Sequence, residues 1–202
     1  MSTPLPYFER MYAADPDPWS FESRWYDRRK HSLTAAIVPR RRYRSGFEPG
    51  CSTGRLTELL APYCDRLLAV DAVKSAVVTA AERLADRPHV TVEQAEMPHE
   101  WPDARFDLIV LSELGYYFDD ADLDVLLTKA IESLEPGGDL VAVHWRWPVA
   151  EHFRPGDEVH AALAARTGLA RTAEHVEADF RLEVYSRVPP AARSVAQREG
   201  LC

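Results

Sequence analysis

From residue 46 onward, short apolar runs alternate with stretches whose apolar positions recur at helical spacing. That alternation is the signature of an α/β domain built on a largely parallel sheet. Strands are predicted at 45–48, 66–71, 89–93, 106–111 and 139–144, each followed by a turn or a polar stretch. Helices fit between them. Residues 55–63 place Leu56, Leu59 and Leu60 at i, i+3 and i+4, and the Ala-rich 75–85 opens on Ser75, which can cap it. Residues 122–134 repeat the helical spacing through Leu123, Leu126, Leu127, Ala130 and Ile131, before the stop signal Pro136-Gly137-Gly138. After the fifth strand the pattern changes to a helix around 158–167 and two strand-like runs, 172–176 and 180–187. Only about three residues join those runs, enough for a hairpin and too few for a parallel crossover, so the sheet should end in an antiparallel pair. Residues 1–45 read as helical and irregular, broken by Pro4, Pro6, Pro16 and Pro18, and the chain from Pro189 reads as a frayed tail.

Composition narrows the class. The 202 residues are 46% hydrophobic and 28% charged, which is ordinary globular usage and length for one domain. A chain of this size removes about 70% of its unfolded surface from water and needs no disulfide or metal staple. Cys51, Cys64 and Cys202 have no paired spacing and fit a reducing compartment. The first residues lack a basic region followed by an apolar stretch, and no run approaches the roughly 18 apolar residues of a membrane span. The expectation is a cytoplasmic protein, without a membrane or nucleic-acid partner, acting as a monomer or homodimer.

The net charge of −8 is unevenly spread: residues 1–46 carry nine basic and five acidic side chains, and the remainder 15 and 27. The basic clusters Arg28-Arg29-Lys30 and Arg40-Arg41-Arg42-Tyr43-Arg44 read as solvated faces, because polyphosphate binding needs many contacts. The acidic run 119–124 looks like the start of a calcium loop, but Val125 falls on the required glycine and Ile131 on the bidentate glutamate, counting from Asp120. It suits a helix start, where carboxylates meet free N–H groups. His144, His152 and His160 include no close pair with metal-ligand spacing, so no metal is expected.

The most informative stretch is Phe47-Glu48-Pro49-Gly50-Cys51-Ser52-Thr53-Gly54, between the first strand and the first helix of the alternation. Gly50 to Gly54 matches the G-x-S-x-G nucleophile elbow of α/β-hydrolases. Order along the chain argues against it, since the elbow needs several strands upstream and only 46 residues precede this one. A dinucleotide site would want G-x-G-x-x-G, and here serine takes the second glycine's place with the last glycine one residue early. The third reading is an S-adenosylmethionine loop, acidic-x-G-x-G-x-G, with Glu48 as the carboxylate and Ser52 in place of the middle glycine. Leu67-Leu68-Ala69-Val70-Asp71 strengthens it, ending a strand on a carboxylate 17 residues beyond Gly54, where a ribose diol would lie. After the third strand, Glu96 and Met97 stand at the level of the adenine.

Here the chain resembles the class I methyltransferases, from about Glu48 through Arg187, including Leu134-Glu135-Pro136-Gly137-Gly138. More narrowly it is similar to the nodulation protein S type. That likeness is carried by Asp15-Pro16-Asp17-Pro18-Trp19, Trp25-Tyr26, Arg28-Arg29-Lys30, Phe47 to Ser52, Leu59-Leu60-Ala61-Pro62, His144-Trp145-Arg146 and Gly156-Asp157-Glu158-Val159-His160. The resemblance implies a Rossmann-like α/β fold with seven strands ordered 3-2-1-4-5-7-6 and an antiparallel seventh strand. It divides a single domain into a helical lid (1–45), a core (46–187) and a tail (188–202). It implies methyl transfer from S-adenosylmethionine, with S-adenosylhomocysteine as product, to an amine of a small molecule; in the type members that amine is a glucosamine unit of a chitin oligomer. O-methylation, or cofactor binding without turnover, are the alternatives. The implied cofactor-binding positions are Trp19, Arg29, Glu48, Gly50, Ser52, Gly54, Asp71, Ala72, Glu96, Met97 and Ser112, with Arg29 or Lys30 pairing the cofactor carboxylate.

Methyl transfer to an amine needs an aligned, neutral nitrogen, so a carboxylate or imidazole that removes the ammonium proton is useful. Glu113 leaves the fourth strand and His144 ends the fifth, both at the carboxyl edge where open α/β sheets bind ligands. Tyr116 and Tyr117 could face a sulfonium, and Trp145 or Trp147 could stack on an acceptor ring. Glu113, Tyr117 and His144 are therefore the catalytic candidates, and Tyr116 and Trp145 the acceptor-binding ones.

Overall fold

The computed structural model describes residues 2–202. Seven strands form one sheet in the order β3-β2-β1-β4-β5-β7-β6. They are β1 (Gly46–Pro49), β2 (Leu67–Asp71), β3 (Val90–Gln94), β4 (Phe106–Ser112), β5 (Leu134–Trp145), β6 (Leu169–Val176) and β7 (Phe180–Arg187). β1 pairs in parallel with β2 and β4, β2 with β3, and β4 with β5. β7 runs antiparallel between β5 and β6, as the short connection requires.

Alternation along the central strands divides the core between two faces. Ile109, Leu111, Leu140 and Ala142 face α5 (Asp120–Ser133) and α6 (Gly156–Ala164), where they meet Leu126, Leu127, Val159 and Leu163. Leu108, Val110, Val141 and Val143 face the other way, toward Ala35 of α2 (Trp25–Ala36) and Leu56 and Leu60 of α3 (Arg55–Leu60). Strands buried on both faces read as continuous apolar runs, which is why β4 and β5 stand out in the sequence. α1 (Leu5–Ala14) and α4 (Lys74–Arg83) meet through Phe8, Tyr12, Val73 and Ala76. α5 opens on Asp119, whose side chain accepts the Asp122 N–H, so the acidic run is a helix cap.

Several stretches differ from the sequence expectation. α4 starts at Lys74 with Val73 as its N-cap, so Ser75 lies inside the helix and does not cap it, and β6 starts at Leu169 rather than at 172. β5 begins at Leu134, because Leu134 pairs with Phe106 before the register shifts to Leu108 and Asp139, so Glu135 to Gly138 form a bulge inside the strand. α3 stops at Leu60, and Pro62 is carried in a 3₁₀ turn, Ala61–Tyr63. The tail from Pro189 does not fray: α7 (Val195–Arg198) opens on a Ser194/Gln197 capping box, and Arg198 reaches buried Asp139 at 2.9 Å. The basic cluster at 40–44 is spent on the protein itself: Arg40 meets Asp139, Arg41 Glu199, Arg42 Asp65, and Arg44 Glu135.

Candidate active site

The strand order reverses between β1 and β4, and such a switch point opens a crevice at the carboxyl ends of the strands. A cavity of about 540 Å³ lies there, walled by the β1, β2, β3 and β4 exits and covered by residues of α1 and α2. No helix among the described residues is long and apolar enough to cross a membrane.

One wall is mostly backbone. Gly50 has φ of +75°, and a Cβ there would sit 3.1 Å from Leu114, so glycine keeps both the turn and the close approach. Ser52 also takes a positive φ, 52°, which places its amide 2.8 Å from Asp71 Oδ2, while Val73 N–H donates to Oδ1 at 2.9 Å. Burial pushes the Asp71 carboxyl up and these amides oppose it. Each oxygen keeps a lone pair, the acceptor set a ribose diol needs. Glu48 is buried, and its Oε2 makes no hydrogen bond among the described residues; burial pushes its carboxyl up to about 8 against the pull of the neighbouring Thr57 hydroxyl. Ala72, Glu96, Met97 and Ser112 line the same cavity. Gly54 does not: it opens α3 at φ +78° and packs on Ala80 of α4.

The N-terminal segment crosses over this wall. Tyr12 Oη lies 2.6 Å from Ser52 Oγ, and Trp19 stacks on Phe21 and meets the Tyr12 ring edge-on. Neighbours Arg29 and Lys30 part company. Arg29 turns out to the β6–β7 connection, where its guanidinium makes bonds of 2.8 and 2.7 Å to both oxygens of Glu177. It does not line the cavity, which corrects the expectation that it meets the cofactor. Lys30 does line it, but its ammonium is committed 2.8 Å from Glu113 Oε1, 3.4 Å from Asp27 and 5.0 Å from the Tyr26 ring centroid. Arg24 and Arg55 are the guanidiniums on the lining.

The opposite wall is made of side chains. Glu113 takes φ of 54° at the end of β4, and its amide donates to Val143 O of β5. Its Oε2 accepts the Trp145 amide at 3.0 Å and the Tyr116 hydroxyl. Burial alone would raise this carboxyl; the Lys30 ammonium and the bonds from Lys30 and Tyr116 hold it at about 2. Tyr116, Tyr117 and Trp145 are on the lining.

His144 is not. It is fully buried behind Glu113, where Nε2 accepts the Gly115 N–H at 3.1 Å. With Nε2 an acceptor, Nδ1 carries the proton and faces His160 Nε2 at 3.3 Å; His160 Nδ1 then donates to Glu183 at 2.6 Å. Tyr185, Arg171 and Arg181 also donate to the Glu183 carboxylate. Burial, then the neighbouring His160, keep His144 far below the ordinary imidazole value. His144 is therefore a support for the Gly115 turn, with both ring nitrogens spent, which corrects its expected place at the reacting centre.

Tyr12, Asp27, His31, Arg55 and His152 also line the cavity and were not singled out for it in the sequence. Asp27 and His31 had a signal, lying one helical turn or less from Lys30 on α2; Tyr12 and His152 had none beyond their residue type.

Strand order and switch-point cavity define the class I methyltransferase fold. The model of the nodulation protein S (NodS) family matches residues 7–162, and the chain belongs to that family. Among curated relatives, Nodulation protein S of Rhizobium tropici is 33% identical over 137 residues, 65% of this chain and 56% of its own length. The corresponding figures for the Sinorhizobium fredii protein are 30% over 130 residues, 63% and 60%; the matches thus span less than two thirds of either relative. Among solved structures, the N-methyltransferase NodS of Bradyrhizobium japonicum in complex with S-adenosylhomocysteine is 26% identical. It superposes with a TM-score of 0.79, over 92% of this chain and 98% of that one. A Pseudomonas syringae protein with a provisional methyltransferase assignment is 49% identical at a TM-score of 0.72, over 81% of this chain and all of that one.

Proposed function

We propose that this chain transfers a methyl group from S-adenosylmethionine to an amine of a small molecule, an amino sugar being the acceptor class the family likeness suggests. The observation that carries the reading is the cavity itself, which joins a backbone-built nucleoside wall to an aromatic wall with two carboxylates and one ammonium. Asp71 would take the ribose diol, and unpartnered Glu48 Oε2 the cofactor's ammonium. Arg24 or Arg55 would take its carboxylate, the role first expected of Arg29 or Lys30. Bound there, the cofactor supplies an electrophilic methyl group.

The chain's own residues supply placement. Tyr26, Tyr116, Tyr117 and Trp145 present aromatic surface on which cationic centres are favoured. Asp27 and Glu113 face the Lys30 ammonium on this wall, with the Arg24 guanidinium acting on Asp27 from the lining. Glu113, paired with Lys30 and bonded by Tyr116 and the Trp145 amide, positions Tyr116 and Trp145 rather than moving protons. α1, with Tyr12 on the glycine turn, excludes water from the cofactor side.

Isothermal titration with S-adenosylhomocysteine tests the cofactor half. The expected result is micromolar binding that Asp71→Ala weakens about 100-fold, about 2.7 kcal/mol. Absence of heat with the wild type overturns the reading. Incubation with a chitin oligomer carrying one free glucosamine amine, followed by mass spectrometry, tests the acceptor half. Binding without methylation of any amine points to a non-turnover binder, and methylation of a hydroxyl to an O-methyltransferase.

A further inference from the structure

A group that deprotonates the acceptor ammonium must sit on the acceptor wall, be unprotonated before it acts, and have a nitrogen or oxygen that no protein group already occupies. Glu113 fails the last condition: Oε1 lies 2.8 Å from the Lys30 ammonium, and Oε2 accepts from Tyr116 and the Trp145 amide. His144 fails the first and the last. Asp27 shares the Lys30 ammonium, and His31 stands at the lid end against the Phe21 ring. His152 meets all three.

His152 lies between β5 and α6, in a segment pinned by the Phe153 N–H, which donates to Tyr116 O at 2.9 Å. Its ring lies face to face on Tyr116, centroids 3.7 Å apart and planes 14° from parallel, and meets the edge of Tyr117 at 4.9 Å. It lines the cavity, and its enclosed Nδ1 has no partner among the described residues, so no protein acceptor fixes the ring's proton. The contrast with His144 is chemical: one imidazole is locked in a tautomer by a relay, the other is held in place by stacking alone. Around it stand the Tyr116 and Tyr117 hydroxyls, Glu113, its chain neighbour Glu151 and neutral His144. Burial holds its pKa below the ordinary imidazole value against the pull of Glu113 and Glu151.

We propose that His152 is the catalytic base that takes the proton from the acceptor's ammonium. The inference rests on the amine-methylation reading above. The ammonium N–H bond breaks and its proton passes to an imidazole nitrogen. The freed nitrogen pair forms the N–C bond to the methyl carbon as the C–S bond breaks, its electrons staying on sulfur. The half-buried imidazolium returns its proton to water.

The test uses the full chain with His152→Gln and His152→Ala. Methyl transfer to the free-amine chitin oligomer should fall about 100-fold at neutral pH in both variants, with S-adenosylhomocysteine affinity unchanged within about twofold. The wild-type rate should fall only once pH drops well below the ordinary imidazole value of about 6.5, because burial lowers the His152 value. The variants should lose that limb and climb with pH instead, as the amine sheds its own proton. A pH-independent loss, or no loss, overturns the proposal. A second readout needs no turnover: in the S-adenosylhomocysteine complex, histidine-ring NMR should show one cavity imidazole, absent in His152→Gln, that titrates and shifts when the chitin amine is added. A His152 ring that neither titrates nor responds overturns the assignment. If it titrates and responds but the wild type methylates no amine, the His152 site stands as an amine-binding base while the proposed activity fails.

Discussion

The two walls of the cavity are built by opposite means. The nucleoside wall comes from two short stretches, Glu48 to Ser52 and Asp71 to Val73, and its decisive contacts are backbone amides on a single carboxylate. The acceptor wall gathers Lys30, Glu113, Tyr116, Trp145 and His152 from α2, the β4 exit, the β5 end and the segment before α6. Behind it, His144, His160 and Glu183 add β5, α6 and β7. A wall made of turns depends on φ angles that glycine and Ser52 supply locally. A wall made of paired charges and directed imidazoles depends on every partner being present, because a buried polar group left alone costs far more than a satisfied one contributes.

Breaking the relay should therefore have the largest effect on stability. Glu183 is fully buried and accepts from His160, Tyr185, Arg171 and Arg181, bonds that hold it down at about 2 against the upward push of burial. Glu183→Leu should cost about 3–5 kcal/mol in urea unfolding, since it strands the buried partners. The sign of the pH dependence follows. A folded-state value below the unfolded one adds stability that is present above about 4.5 and lost as pH falls toward about 2. Loss of that acid-limb dependence in the variant, with a smaller drop in stability than about 1 kcal/mol, would mean the two walls are not built as differently as their contacts imply.

Glu48 offers the reverse sign on the other wall. Its folded value of about 8 lies above the unfolded 4.5, so the carboxyl contributes stability below about 4.5 that is lost as pH rises toward about 8. If the cofactor's ammonium meets Oε2, binding must expel the carboxyl proton at any pH below that value. Titrations of S-adenosylhomocysteine near pH 7 in buffers of different ionisation enthalpy should then show up to about one proton released by the wild type and none by Glu48→Gln. Affinity in the wild type should rise with pH toward about 8, and a flat profile in both proteins would remove Glu48 from the ammonium site.

The same difference in construction decides what could be read from the sequence. Gly50, Ser52 and Asp71 announce themselves because a strand, a glycine turn and a strand-end carboxylate follow one another within about 20 residues, and their geometry is local. The parallel sheet and its antiparallel end were legible for a related reason: β4 and β5 are apolar on both faces, and a three-residue connection leaves only a hairpin, whereas the strand order was implied only by the resemblance to the methyltransferases. Nothing local distinguishes His144 from His152. Both are histidines near the end of β5, and only packing against α6 sends one into the core, its nitrogens spent on Gly115 and His160, while Tyr116 holds the other on the cavity. The β5 bulge was missed because Pro136-Gly137-Gly138 is a stop signal to local rules, and only pairing with Phe106 carries the strand back to Leu134.

Arg29 and Lys30 give the finest version of this lesson and the smallest expected effect. Adjacent on α2, they point about 100° apart around the helix, so one enters the cavity and the other meets Glu177 across the β6–β7 connection. The Arg29 pair is bidentate but substantially exposed, with 42% of the guanidinium side chain open to water, and such pairs contribute little. Arg29→Ala should leave S-adenosylhomocysteine affinity unchanged within about twofold and shift the thermal midpoint only slightly. Lys30→Ala, by contrast, leaves Asp27 and Glu113 without their shared cation. It should weaken methyl transfer more than cofactor binding, because the carboxylate that orders Tyr116 and Trp145 loses its partner. Equal effects from the two substitutions would show that the helix turns differently in the working protein, and that the assignment of a cofactor contact to Arg29 deserves to be restored.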